Sequence, residues 1–465
     1  MVFSSNIFLF AFLPAFLAIY YLIPLKWRSV PILVGSFAFY AWWRIDFTFL
    51  FAGVIAWNYL IYRLMRAKPS SERCWMQVGV GGNLAVLGLF KYFNFGVDSL
   101  NMALTASGLP EFEAIKIILP IGISFYIFQA ISFLIDIYRK DAPDPDNIWD
   151  FAAFISLFPQ LIAGPILRYK DVAGQFHSRV HSLDHFSEGA YRFMLGFAQK
   201  VLIADSVAPL VDQTFGLNSP TFLESWLGAL AYTIQLYFDF MGYSSMAIGL
   251  GLMMGFRFIE NFNHPYISRS ITEFWRRWHI SLSSWLKDYL YIPLGGNRHG
   301  TAKTYRNLLL TMLLGGAWHG ANWTFVLWGA WHGVFLAIER ATGRTGGLIL
   351  TMLAVILGWV MFRAETLTQA VAFYKGMLGL NGWSISEVLS WQMTGMSLTT
   401  LALGWIIVYL HPVLFEFRTP KEGTPAMRTT GYQKPLMAVS SIVLFLLAVT
   451  KLSAASYSPF LYFQF

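Results

Sequence analysis

Charged residues are scarce in this chain. They make up 12% of its 465 residues, about half the share of an ordinary soluble domain. So few charges cannot cover a water-facing globule, and a large soluble domain is excluded at every position along the chain. Cysteine is scarcer still: Cys74 stands alone in a polar, basic loop, which excludes an intramolecular disulfide and argues against a thiolate metal site. Residues 1–6 carry no Lys or Arg. The first apolar segment therefore lacks the basic leader of a secretion signal, and it has no small-residue cleavage site, so it is expected to remain as a spanning helix.

What fills the chain is apolar, 56% hydrophobic and 18% aromatic. Stretches such as 7–24, 47–65, 117–138 and 436–449 are long enough to approach the ~30 Å hydrocarbon core of a bilayer. The expected fold is an all-α polytopic membrane protein of about eleven or twelve spans, surrounded by membrane lipids. The net charge of +8 does not point to nucleic acid, because in such a protein the placement of Lys and Arg matters more than their sum. Lys26 and Arg28 follow the first span, and Arg63, Arg66, Lys68 and Arg73 follow the third. Further clusters lie at Arg139, Lys140, Arg168, Lys170 and Arg179, through 257–306, at Arg340 and Arg344, and in 418–434. These fall on one side, expected to be cytoplasmic in a bacterial inner membrane, with the N-terminus periplasmic.

Two stretches depart from simple spanning. Residues 150–166, with Pro159, Gly164 and Pro165, have basic residues on both flanks and are expected to dip in and return, which requires burial in protein or a wet cavity. Residues 257–306 are too polar to span. Within them, Ser270 and Glu273 fit a capping box that starts a helix. Trp275, Trp278, Leu282, Trp285, Tyr289 and Ile292 then recur at helical spacing, which predicts a helix at the membrane interface with His279 beside its apolar stripe.

The most informative segment is 315–333, where Gly-Ala-Trp-His-Gly occurs twice, thirteen residues apart, at 316–320 and 329–333. Counted from Arg306, His319 lies roughly 20 Å along a helix, well inside the core. An ionisable residue at that depth is a functional candidate by default. The flanking glycines allow close approach by another helix or a slender ligand. A two-histidine metal site is disfavoured: on a continuous helix His319 and His332 would point about 140° apart, and they could meet only across a bend at Asn322, with no carboxylate or cysteine between them. His332 is read as structural. Asp239, inside an apolar run, must be paired or protonated, and Arg168 could face an anion at a cytoplasmic mouth.

The string from Glu273 through Trp-Arg-Arg-Trp-His279 to Tyr291, the following Gly-Gly-Asn, and Gly316-Ala-Trp-His-Gly-Ala-Asn-Trp323 resemble the membrane-bound O-acyltransferase family. The opening Met-Val-Phe-Ser-Ser-Asn, Pro120-Ile-Gly-Ile-Ser-Phe-Tyr126, Ile162-Ala-Gly-Pro165 and the 232–266 block are similar to its bacterial branch for alginate O-acetylation. That resemblance implies a single membrane acyltransferase domain over 1–465, with N-terminal helices at 1–110, a catalytic core at 115–345 and C-terminal helices at 346–465. It implies a curved bundle with re-entrant and interfacial helices and a transmembrane tunnel. It also implies His319 as the catalytic residue and His279 as a second family histidine. Asp239, Arg168, Asn322, Trp318, Trp278 and Tyr243 are candidates for lining the tunnel or contacting the donor. No bound cofactor or metal is implied. Acetyl-CoA or another acetyl thioester is the expected donor, and periplasmic acetyltransferase partners or the polymer are the expected acceptors, with the 365–397 loop as a partner contact. The imidazole of His319 would serve as general base or carry a transient acetyl group, and His279 would orient the donor or protonate its leaving thiolate. Related acetylation of cellulose or peptidoglycan remains open. So do a transporter, in which buried His and Asp relay protons, and a passive scaffold.

Overall fold

The computed structural model describes residues 1–414 and 433–454, so the basic stretch beginning at 418 falls largely outside the described residues. Every regular element among the described residues is a helix. Ile45–Ala67 and Leu183–Phe215 are long and apolar enough to cross a bilayer, and five shorter apolar helices join them: Phe8–Leu22, Ile148–Leu161, Gly347–Arg363, Gly395–Leu410 and Ala438–Ala454. Phe222–Met253 and Thr301–His319 also have the length, with 32 and 19 residues, but Tyr, Trp, Gly and charged side chains dilute their apolarity. The chain forms two compact units. One comprises Met1–Phe186 with Leu250–Ile259, the other Ser187–Gly249 with the described residues from Glu260 onward.

In the first unit, polar groups on packed helices satisfy one another. Asn58 on Ile45–Ala67 and Asn83 on Glu72–Leu87 form a reciprocal amide pair, donating at 2.9 and 2.7 Å. The apolar stretch 117–138 becomes helical only at Ile123, because Pro120 precedes the left-handed Gly122 (φ 74°), where a Cβ would lie 2.5 Å from the Leu161 carbonyl oxygen. The segment expected to dip and return is a broken helix, Ile148–Ser156 followed by Phe158–Leu161. Residues 151–167 are buried throughout, and the Ser36 hydroxyl accepts from the Phe158 N–H at the break, 3.1 Å away.

The second unit is organised by glycines that bring backbones together. Gly196 and Gly242 face each other, as do Gly189 and Gly249; a Cβ on Gly196, Gly242 or Gly249 would lie 2.5–2.6 Å from the opposing glycine's carbonyl oxygen. These seven-residue spacings run in opposite directions, so the 183–215 and 222–253 helices are antiparallel in a fixed register. That register sets Lys200 opposite Asp239. The fully buried Lys200 ammonium bonds Asp239 at 2.8 Å and Asp205 at 2.9 Å, which supplies the pairing that Asp239 needs.

The repeated pentapeptide works in the same way. Thr301–His319 and Trp323–Thr342 form an antiparallel hairpin, and the first glycines of the two copies meet at its crossing. A Cβ on Gly316 would lie 2.3 Å from Phe325 O and 3.1 Å from Gly329 Cα, and one on Gly329 would lie 2.3 Å from Met312 O. Glu339 on the second arm then accepts from the N–H groups of Ile271 and Thr272, at 2.5 and 2.9 Å, which pins the start of the Ile271–Arg277 helix to the hairpin. Ser270 caps that start as expected, accepting from Glu273 N at 2.9 Å, while the Glu273 carboxylate reaches Arg269 N rather than Ser270.

The crossing generates a prediction. Gly329→Ala should lower the thermal unfolding midpoint of the solubilised protein, at a cost of about 1–3 kcal/mol from overpacking against backbone. Gly53→Ala, where nothing lies within 4 Å of the added carbon, should leave the midpoint unchanged or raise it slightly. Equal effects at the two positions would contradict the close-approach role.

Candidate active site

The interfacial helix expected through Ile292 is not continuous. It ends at Arg277 and restarts at Ile280, because Trp278 is extended and His279 sits in the left-handed region at φ 44°, ψ 55°. A non-glycine residue there carries strain of order 1–3 kcal/mol. Asn261 holds the break. Its carbonyl oxygen accepts from Ile280 N at 3.0 Å, and its side-chain Oδ1 accepts from Ser281 N at 3.3 Å and Ser281 Oγ at 2.9 Å. The same Oδ1 lies 3.1 Å from His279 Nδ1. Because Ser281 N–H can only donate, this amide atom is an acceptor, and Nδ1 of the neutral imidazole therefore carries the proton. The lone pair is then on Nε2, which is buried and has no hydrogen-bond partner among the described residues.

The break turns His279 toward the second candidate. His319 is the last residue of its helix, where Gly320 turns the chain into extended backbone. The two imidazoles lie 6.1 Å apart between ring centroids. Aromatic rings enclose them: Phe240 is 4.7 Å from His279, while Trp318, Trp328 and Phe362 are 5.1–5.2 Å from His319. Trp318 also borders His279 at 6.0 Å. Both histidines are buried. The arrangement sets two imidazoles 6.1 Å apart within an aromatic enclosure, a geometry suited to acid–base or nucleophilic chemistry. Among the described residues no group of three His, Cys, Asp or Glu is placed to hold a metal ion.

The other candidates are bound into their own surroundings. Trp278 is buried in an aromatic stack, 5.0 Å from Phe262 and 4.9 Å from Trp359. Asp239 is in the Lys200 ion pair, and Tyr243 lies buried one turn further along the same helix. Asn322 caps Trp323–Thr342, accepting from Thr324 N at 3.1 Å and donating to Glu365 O at 2.8 Å. Arg168 belongs to the first unit, where it forms a two-point pair with Asp171 at 2.7 and 2.9 Å. His332 is fully buried among Phe274, Trp275, Trp328 and Trp359, with neither ring nitrogen bonded among the described residues. Lys200, Asn261, Ser281 and Phe362 were not singled out in the sequence. Lys200 did leave a signal, as a lysine within the apolar run 193–204; the other three left none.

The pattern of the membrane-bound O-acyltransferase family matches residues 140–346, which contain both histidines. A Pseudomonas putida protein named Probable alginate O-acetylase AlgI is 55% identical, and an Azotobacter vinelandii protein of the same name is 53% identical, each match covering all of both chains. A Helicobacter pylori protein named Peptidoglycan O-acetyltransferase is 33% identical across all of this chain and 98% of its own. With its helical fold and full-length similarity to O-acetyltransferases, the chain is a membrane-bound acyltransferase and belongs to the membrane-bound O-acyltransferase family.

Proposed function

We propose that this protein transfers acetyl groups for the O-acetylation of an exported polysaccharide, alginate, with His319 and His279 as the reacting pair. The observation that carries this reading is the pair itself: two buried imidazoles 6.1 Å apart, one held by Asn261 with its Nε2 lone pair open. The polymer assignment rests on the names of relatives at 55% and 53% identity along the whole chain. The Helicobacter relative, at 33%, makes peptidoglycan the weaker alternative.

The donor is acetyl-CoA or another acetyl thioester, already activated at its carbonyl. The acceptor hydroxyl oxygen attacks that carbon, a C–O bond forms, and the C–S bond breaks. His319 takes the hydroxyl proton and, as imidazolium, passes it to the leaving thiolate, while His279, with Nε2 as an acceptor, orients the reacting groups. General acid–base catalysis of this kind contributes about 10²–10⁴-fold. The aromatic enclosure excludes water that would hydrolyse the thioester. The protein would span the inner membrane about eleven or twelve times, with its N-terminus periplasmic and a tunnel leading cytoplasmic donor and extracytoplasmic acceptor to the pair. The acceptor would be a periplasmic acetyltransferase partner or the polymer, with the 365–397 loop as a docking contact. The transporter reading loses its support, because the chain belongs to a family of acyltransferases.

At matched membrane levels, His319→Ala should abolish O-acetyl content of the exported polymer without stopping export; retained acetyl would remove His319 from the chemistry. His332→Phe, which keeps an aromatic ring among four aromatic neighbours, should stay within about threefold of wild type. A loss as deep as that of His319→Ala would mean His332 reacts too. Asn261→Ala should reduce acetylation roughly tenfold by freeing His279, and unchanged acetylation would deny it a positioning role.

A further inference from the structure

In the first unit a buried cation has no matching anion. Arg179 lies in the non-helical stretch 178–182 and is 7% exposed. One guanidinium nitrogen, Nη2, donates to the Ser29 hydroxyl at 2.9 Å. Among the described residues Nε and Nη1 are buried and make no hydrogen bond of good geometry, although the Tyr20 hydroxyl lies near the guanidinium, and Arg179 forms no ion pair with a carboxylate. Asp150 reaches it only indirectly, through that same Ser29 hydroxyl. The rings of Phe176 and Phe256 lie 5.6 and 5.2 Å from the guanidinium carbon. Ring faces attract the charge but give the in-plane N–H groups no acceptor.

The surroundings add positive charge. The Arg28 guanidinium carbon lies 5.1 Å from the centroids of both Tyr20 and Tyr21. Tyr20 bonds His181 Nε2 at 3.0 Å and donates to Met254 O at 2.6 Å, so its single proton is committed and its oxygen accepts from the His181 ring. Burial, and then Arg28 and Arg179, hold the His181 pKa below its ordinary value. Left-handed Gly255 (φ 81°) packs its backbone against this ring, since a Cβ there would lie 3.1 Å from His181 Nε2. A desolvated guanidinium with two idle donors, beside a second arginine and a histidine, is costly when empty and well matched to a compact multivalent oxyanion.

We propose that Arg179 and Arg28 form a phosphate-binding site beside His181, which takes the phosphate of either a lipid headgroup or a soluble organic phosphate. The proposal does not depend on the acetyl-transfer reading. Its test is thermal unfolding of the purified full-length protein in an uncharged detergent, with inorganic phosphate, coenzyme A or phosphatidylglycerol added in turn, for wild type, Arg28→Gln and Arg179→Gln. Ligand that binds only the folded state raises the midpoint. Wild type should rise by several degrees with at least one probe, and Arg28→Gln should lose most of that rise. Arg28 is half-exposed, so this variant decides the matter even if Arg179→Gln fails to fold. A rise with phosphate and coenzyme A alone identifies a soluble phosphate, a rise with phosphatidylglycerol alone identifies a headgroup, and a rise with both supports the shared phosphate chemistry. No rise with any probe, or equal rises in wild type and Arg28→Gln, overturns the site.

Discussion

The contact on which the second unit depends is backbone meeting backbone at glycine. At Gly316 and Gly329 the two arms of the 301–342 hairpin approach so closely that a single added carbon would strike a carbonyl oxygen. This crossing places His319 at the end of its helix, puts the Asn322 cap at the turn, and aligns Glu339 with the start of the 271–277 helix. His279 lies two residues beyond the end of that helix and takes its place from it. A similar glycine pairing between the 183–215 and 222–253 helices sets Lys200 against Asp239. Where the surroundings are apolar on both sides of an interface, hydrophobic burial cannot choose a register; close packing at small residues can.

The second constraint is that polar groups in such surroundings must satisfy one another. Most do, as Asn58 with Asn83 and Lys200 with two aspartates show. Three of the exceptions carry information through their neighbours. His279 Nε2 stands open beside a second imidazole, the arrangement proposed to react. His332 is open among four aromatic rings, which is a packing arrangement. Arg179 is open beside further positive charge, which calls for an anion. The same absence of a partner has three meanings, and the neighbours decide between them.

Much of this was legible in the sequence, through features that act locally. Low charge and long apolar runs gave the helical membrane class, Ser270 marked a helix start, and the burial of His319 was expected from its place along a helix. The repeat at 316–320 and 329–333 was visible as a repeat, but the meeting of its glycines depends on the turn at Asn322. The break at His279 was not legible, because the apolar stripe through 275–292 keeps helical spacing across it. Asn261, eighteen residues upstream, overrides that periodicity by taking up the backbone and side-chain donors of residues 279–281. Long-range hydrogen bonds of this kind leave no periodic trace. The Lys200 partnership likewise required the register between two helices, although each charge was conspicuous in its own apolar run.

The central claim is that His279 and His319 act on one reacting group. It is tested most directly by a double-mutant cycle, measuring acetyl transfer from acetyl-CoA by the purified protein with His279→Ala, His319→Ala and both together. If the histidines serve a single step, the double variant should be no slower than the slower single variant, within about threefold. A double loss equal to the product of the two separate losses would mean that the residues act independently and would contradict the account.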